Sequence, residues 1–456
     1  MPLAQHVYMN IIKYITLFTL ILVAFSATAQ KKWSLEDCVA YALENNLQLD
    51  NTKFQAMSSE ESYKQSVREL LPNISGNAGY SIRYGRSIDP NTNSVVTNDF
   101  FSNNYSIDAT LDLFQGFQTK NSIASSKFLK LASQETALQE KHLLAFRVMT
   151  AYYDVSYFKG LVKINEEQEN ISQNNLDLVN KQIEIGTQAA SNRYDAQTIL
   201  VSDQLEVTRS KNQLKSANLA LAQLMNLEGN AQLEITEFTP ELLTTISTSS
   251  EEVYKQAVNF MPMIKAQELR LLSAEKQVDI ARGGLYPSLV LFAGYNTGYF
   301  ETNRNPLGET IKFNDQIEGN ASQYVGLSLN IPILNKWRNR SNISQQKIQA
   351  LTEINNLNIQ KQELNNLIQQ LVQEYDASQS ELVLTKLNEE ARELSFNTAQ
   401  KRYDKGLISA IELFQAKNLY SAAQNQNLQV QLRLEVQKKT LQFYQGIPVF
   451  NINSTK

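Results

Sequence analysis

The distribution of helix breakers constrains this chain more than any motif does. Neither glycine nor proline occurs from Leu334 to Lys405, from Thr187 to Glu228 or from Leu407 to Gln445, and Gly160 alone interrupts the run from Phe117 to Ile185. A helix interior tolerates these two residues least, so the four stretches predict very long helices. At 1.5 Å of rise per residue, a helix of roughly 70 residues extends on the order of 100 Å, beyond any ordinary globular domain. Within the longest stretch Ile343, Ala350, Leu357, Leu364 and Leu371 recur every seven residues, with Ile368, Tyr375 and Leu382 at the companion spacing. That is a coiled-coil seam with polar flanks. Gly186 and Gly406 each separate a long run from a shorter one and read as hairpin tips.

A second periodicity has the β repeat of two. Ile74, Gly76, Ala78, Tyr80, Ile82 and Tyr84 alternate with polar or small partners, as do Tyr105, Ile107, Ala109, Leu111 and Leu113 with Asn104, Ser106, Asp108, Thr110 and Asp112. The same holds for Leu289, Leu291, Ala293, Tyr295 and Tyr299, and for Val325, Leu327, Leu329, Ile331 and Ile333. Strands are expected over about 72–85, 103–115, 286–300 and 321–334, each near the length of a tilted membrane-spanning strand. Aromatics gather at both ends: Tyr84, Phe100, Phe101, Tyr299 and Phe300 at one, Phe114, Phe117, Tyr286 and Trp337 at the other. These are candidate interfacial girdles. Asp108 and Asp112 share a face with Ser106 and Thr110, and that face is expected to line a barrel lumen.

The two strand pairs belong to an internal duplication. Ala42 to Tyr80 and Ala257 to Tyr295 align without a gap at an offset of 215, and Gly186, Tyr194 and Ala196 pair with Gly406, Phe414 and Ala416 at an offset of 220. A first repeat is therefore placed at 30–249 and a second at 250–456, joined by a polar connection from Gly229 to Ser250 expected to pack around the helices as a collar. Residues 1–29 read as an export signal: Lys13, an apolar run from Tyr14 to Phe25, then Ala27 and Ala29 before a cleavage point, with Met9 as an alternative start. Glu36 and Asp37 before Cys38 are wrong for lipid attachment.

Composition removes most enzymes. One cysteine excludes a disulfide framework and a CxxC pair. Two histidines, His6 and His142, cannot build a His-rich metal centre, and His142 reads as a polar helix residue. There is no phosphate-cradling glycine loop, and the scattered Asp and Glu read as solvated helix faces. A formal charge of −4 gives no basic nucleic-acid surface. No catalytic residue, cofactor or metal is therefore expected. Four strands cannot close a sheet in lipid, since open edges leave backbone groups unpaired. The chain must oligomerise around a ring.

The whole mature chain resembles the outer-membrane efflux proteins, the TolC-like family. The residues that carry this are Ser34-Leu35-Glu36-Asp37, Leu71-Pro72 and Tyr286-Pro287 before strands, Leu113-Phe114-Gln115-Gly116 after one, and above all Tyr403-Asp404-Lys405-Gly406-Leu407-Ile408-Ser409 with Phe414-Gln415-Ala416. The resemblance implies a mainly α protein with a membrane β-barrel: a homotrimer whose twelve-strand barrel continues into a long periplasmic α-helical barrel. It further implies a passive exit duct for a tripartite pump or type I secretion system, fed by an RND, ABC or MFS inner-membrane transporter through a periplasmic adaptor. Glu412 and Gln415 fall at the family's constriction, Tyr403 at a gating position, and Asn192 where the family often has an acid. The tips at Gly186, Thr187, Gly406, Leu407 and Ser409 are the expected adaptor-docking surface. The rival reading is a secreted coiled-coil structural or adhesion protein, which predicts a continuous heptad array without duplicated strand pairs.

Overall fold

The computed structural model describes residues 32–88, 93–97, 99–227, 233–236 and 249–450. The expected export signal and most of the connection between repeats lie outside these residues. The chain forms α1 (Leu35–Asn45), α2 (Leu47–Arg68), β1 (Asn73–Arg83), β2 (Ser87–Ile88), β3 (Val95–Val96), β4 (Phe100–Gln115), α3 (Gln118–Glu184) and α4 (Ser191–Met225). The second half repeats this order with α5 (Ser250–Phe260), α6 (Pro262–Gly283), β5 (Ser288–Phe300), α7 (Phe313–Gly319), β6 (Ser322–Asn330), α8 (Arg338–Asp404) and α9 (Ala410–Tyr444). Two compact units result, and each draws on both halves. Among the described residues, one unit draws on 51–138 and 261–363, and the other on 32–50, 139–260 and 364–450.

The first unit holds the sheet, antiparallel in the order β1-β4-β5-β6. Its last strand stops at Asn330, short of the expected Ile331 and Ile333, because Pro332 has no N–H to give the ladder. A bulge between Asp112 and Phe114 lets Phe114 pair with Leu289. The loop between β5 and β6 contains α7. Its Gln316 is buried and ties that loop to the strand, accepting from the Phe300 N–H at 2.9 Å and donating to the Phe300 and Ile311 carbonyls at 3.0 and 2.8 Å. Below the sheet, helices meet through small polar contacts: the hydroxyls of Ser125 and Ser273 lie 2.8 Å apart, as do those of Ser59 and Ser133.

Each long helix leaves the sheet through the same backbone device. Gly116 and Phe117 have φ of 60° and 65°, and Lys336 and Trp337, 220 residues later, have 55° and 63°. The left-handed pair turns the chain from strand to helix. Gly116 is required twice over, since a Cβ there would collide with the Gly283 carbonyl and lie 2.8 Å from Tyr286 Cβ.

In the other unit Ser34 caps α1 with a reciprocal box, its Oγ accepting from the Asp37 N–H at 3.1 Å while the Asp37 carboxylate accepts from the Ser34 N–H at 3.3 Å. Of the connection between repeats, Ile235 bridges Trp33 in parallel, and the Tyr152 hydroxyl donates to the Thr236 carbonyl at 3.2 Å. His142 lies within α3, as expected of a polar helix residue, and is half-buried against the Phe443 ring, 4.8 Å between centroids. Burial holds its pKa down, with Lys141 adding to the effect.

The seam on α8 is real and shifts phase once. The less exposed positions alternate spacings of three and four from Ile343 through Ala350 and Leu357 to Gln360, then take two successive fours through Leu364 to Ile368. They resume through Leu371, Tyr375, Ser378 and Leu382. Such a four-residue insertion locally unwinds a supercoil without breaking the helix.

The two junctions should respond oppositely to substitution at equivalent positions. Gly116→Ala should lower the denaturant midpoint sharply, whereas Lys336→Gly, which relieves a left-handed side-chain penalty of about 1 kcal/mol, should leave it unchanged or raise it.

Candidate functional site

The register divides the sheet into two chemically distinct faces. Asp108 lies opposite Ser75 on one side and Gly294 on the other, and Asp112 opposite Val290. Ser81, Ser102, Ser106, Thr110, Asn296 and Ser328 therefore share their face. The opposite face carries Ile74, Ile82, Ile107, Leu111, Leu291, Val325 and Leu327, all without a polar side-chain atom. On that apolar face Tyr80, Phe101, Tyr299 and Phe313 form a continuous ring series with centroids 5.3 to 5.8 Å apart near the loop end. Phe114, Phe117 and Tyr286 form another at the helix end. Two expected girdle residues belong elsewhere: Phe100 and Phe300 have even register and lie on the polar face, Phe100 buried beneath Arg83. Every residue of β1 is exposed, so the outer strand is an open edge.

The hairpin tips lie in the other unit and are built alike. Gly186 and Gly406 have φ of 78° and 69°, and nothing approaches a Cβ placed on either. The Thr187 N–H reaches the Gln182 carbonyl at 2.9 Å and the Leu407 N–H the Arg402 carbonyl at 2.9 Å. These six-to-one bonds with glycine in the left-handed position are Schellman caps. The tips differ beyond the glycine. Ser409 caps α9 in a reciprocal box with Glu412, its Oγ accepting from the Glu412 N–H and the Glu412 carboxylate accepting from the Ser409 N–H, both at 3.3 Å, whereas Ala190 before α4 offers no side-chain cap. Asn192 is engaged locally with Gln188. Glu412 and Gln415 are both exposed. Tyr403 is buried in a cluster with Phe396 and Leu413, against Ile171 and Leu178 of the first hairpin. Burial pushes its hydroxyl pKa up, and the Asn175 side chain offsets part of that.

One group was not visible in the sequence. Lys417 of α9 is 2 % exposed and pairs with Asp203 of α4, and its Nζ donates to Ser172 Oγ of α3 at 2.7 Å. Ser172 Oγ also donates to Asp203. Burial presses the Lys417 pKa down, against the pull of Asp203. One buried ion pair thus ties the second repeat's hairpin to both helices of the first, some turns away from the tips. Among the described residues no cluster could hold a metal ion, and no helix is long and apolar enough to cross a membrane.

A sheet with one apolar and one polar face, open edges and aromatic belts, in a chain of long paired helices, defines a subunit of an outer-membrane channel with a helical duct. Comparison with known proteins gives the same answer. The sequence pattern of the outer membrane efflux protein family matches residues 39–227 and 253–446, and the chain belongs to that family. It is 22% identical over 399 residues to the outer membrane efflux protein BepC of Brucella suis biovar 1, covering 86% of this chain and 80% of that one. Its fold superposes on solved structures of CusC (TM-score 0.75, 18% identity, 92% of this chain and 95% of that one) and of VceC from Vibrio cholerae (TM-score 0.75, 15% identity, 90% and 96%). The protein is an outer-membrane efflux channel.

The buried pair makes a quantitative expectation. Asp203→Ala should cost about 3–5 kcal/mol because it strands a buried charge, and Asp203→Ala combined with Lys417→Met should recover most of the loss. Denaturant unfolding of the three proteins checks it.

Proposed function

We propose that three copies close a twelve-strand barrel around the polar face and act as a passive conduit, without chemistry of their own, fed by an inner-membrane RND, ABC or MFS transporter through a periplasmic adaptor. The observation that carries this reading is the two-faced sheet with unpaired edges, which in lipid has no stable state except closure with further copies. Asp108 and Asp112 then face the lumen, and the apolar face with its two aromatic series meets lipid. Asp108→Lys or Asp112→Lys should preserve trimer yield and shift ion selectivity toward anions in planar bilayers. Failure of either variant to insert would place the carboxylates against lipid, where a midplane Lys costs about 2–4 kcal/mol.

The hairpin tips are the gate and docking surface in this reading. Tyr403 supports a closure held by packing, given its buried cluster with first-hairpin residues. Glu412 both caps α9 and, with Gln415, offers an exposed polar edge that three copies would repeat around the axis. Among the described residues the Asn192 side chain bonds its neighbours Gln188 and Ser191, and an uncharged amide supplies no ion pair to the closure. Glu412→Gln keeps an acceptor for the cap but removes a ring of three charges. Block by multivalent cations should weaken while thermal stability stays nearly constant; unaltered block would leave Glu412 a cap alone.

Docking at the tips is tested in cells. Cysteines at Thr187 and Leu407 in a Cys38→Ser background should crosslink to an adaptor, and cysteines at Asn93 or Asn305 should not. Capture from the loop positions instead would reverse the orientation of the duct.

A further inference from the structure

Midway along β4, the polar face carries a side-chain arrangement that the duct reading does not use. The Asp108 carboxylate accepts from the Tyr324 hydroxyl at 2.7 Å on one oxygen and from Ser106 Oγ at 2.9 Å on the other. Tyr324 reaches it by crossing a glycine: Asp108 is opposite Gly294, and Gly294 is opposite Tyr324. A Cβ at Gly294 would lie 2.5 Å from the tyrosine ring. The next pair reciprocates, with Phe292 lying over Gly326 at the same 2.5 Å. The two rings are 6.0 Å apart and tilted by 51°. The glycines of β1 have no such cover, since the nearest atom to a Cβ at Gly76 or Gly79 is a backbone oxygen at 3.9 Å. The paired rings are therefore a feature of β5 and β6, not of barrel glycines in general.

Beside the rings the same face holds a hollow of about 700 Å³, lined by Asn77, Asn104, Asn296, Asn320 and Ser106. Ser106 belongs to both, lining the hollow and bonding Asp108. The volume lies within the roughly 300–1,000 Å³ of small-molecule sites. A carboxylate fixed by two hydroxyl donors beside two ring faces suits an organic ammonium ion, which gains from the charge and from the aromatic quadrupole together. A bare Ca2+ or Mg2+ ion is served poorly, because these ions take six or more oxygens and this site offers one carboxylate already bonded on both of its oxygens. The amides can give and take hydrogen bonds with hydroxyl or carbonyl groups on the same cargo molecule. Asp112 lacks these surroundings: its partner is Val290, which faces Ser328.

We infer that Asp108, Tyr324 and Phe292, with the adjoining amide hollow, form a lumenal subsite for organic ammonium cations, one per chain. The inference rests on the lumenal reading of the polar face, so its test separates the two. In planar bilayers holding the full-length trimer, tetrapropylammonium added at constant ionic strength should reduce conductance saturably. Asp108→Asn should raise the half-blocking concentration at least tenfold, and Asp112→Asn less than threefold. Gly294→Ala, which displaces the tyrosine ring while keeping every functional group, should weaken block like Asp108→Asn. Equal effects of the two Asp substitutions, or unchanged block in Gly294→Ala channels of normal conductance, would overturn the subsite. Separately, Asn104→Cys in a Cys38→Ser background should react with a charged, membrane-impermeant thiol reagent and lower conductance. An Asn104→Cys channel that stays unreactive would overturn the lumenal reading and the subsite with it; reaction without the Asp108 effect would overturn the subsite alone.

Discussion

Hydrocarbon leaves no backbone N–H or C=O unpaired, and this requirement organises the molecule. The ladders β1-β4, β4-β5 and β5-β6 satisfy the inner strands, while β1 and β6 each keep one row of donors and acceptors open. Closing those rows with further copies fixes more than stoichiometry. Side chains alternate with a period of two, so the strand contributed by a neighbour must enter in a register that continues both faces. A slip of one residue would put Ser75 and Asn77 on the apolar face and Ile74 on the polar one. Assembly and the polarity of the duct wall are thus one constraint.

Helices are committed to the sheet by the left-handed junctions. α3 begins two residues after Gly116, and its start is locked where Gly116 and Gly283 approach too closely for any side chain. Long helices anchored this way can carry a supercoil with one phase shift, because the seam needs only to keep facing its partners. The apolar residues left exposed on α8 of a single chain, such as Ile348, Leu351 and Ile354, form a second stripe suited to packing between copies.

What could be read in advance was what repeats. The heptads of α8, the alternation of β4 and β5 and the duplicated glycines are all local patterns with a fixed period, and the structure carries them. What escaped depends on contacts distant in sequence. Lys417 and Asp203 are 214 residues apart, and each alone looks like a solvated helix residue. Tyr324 over Gly294 requires knowing the register of β5 against β6. Phe100 and Phe300 differ from expectation for the same reason: aromatic content marks a strand end, but only pairing parity says which face the ring takes. Gln316 defeats composition entirely, a polar residue buried because loop backbone needs its amide.

Duplication explains why the two halves share backbone and differ in side chains. Both tips end in a Schellman cap, and both strand-to-helix turns use two residues of positive φ, because these conformations are demanded by the geometry of the turn. The side chains on that shared frame were free to diverge wherever the backbone did not need them. Lys336 stands where its counterpart is Gly116, and Ala190 stands before α4 where Ser409 caps α9. The second half accordingly carries the charged cap at the tip, the lysine that binds the hairpins together and the ring pair on the polar face. The first half supplies their partners: Asp203 and Ser172 for the lysine, Asp108 for the tyrosine. Each of these contacts crosses from one repeat to the other, so neither repeat could provide it alone.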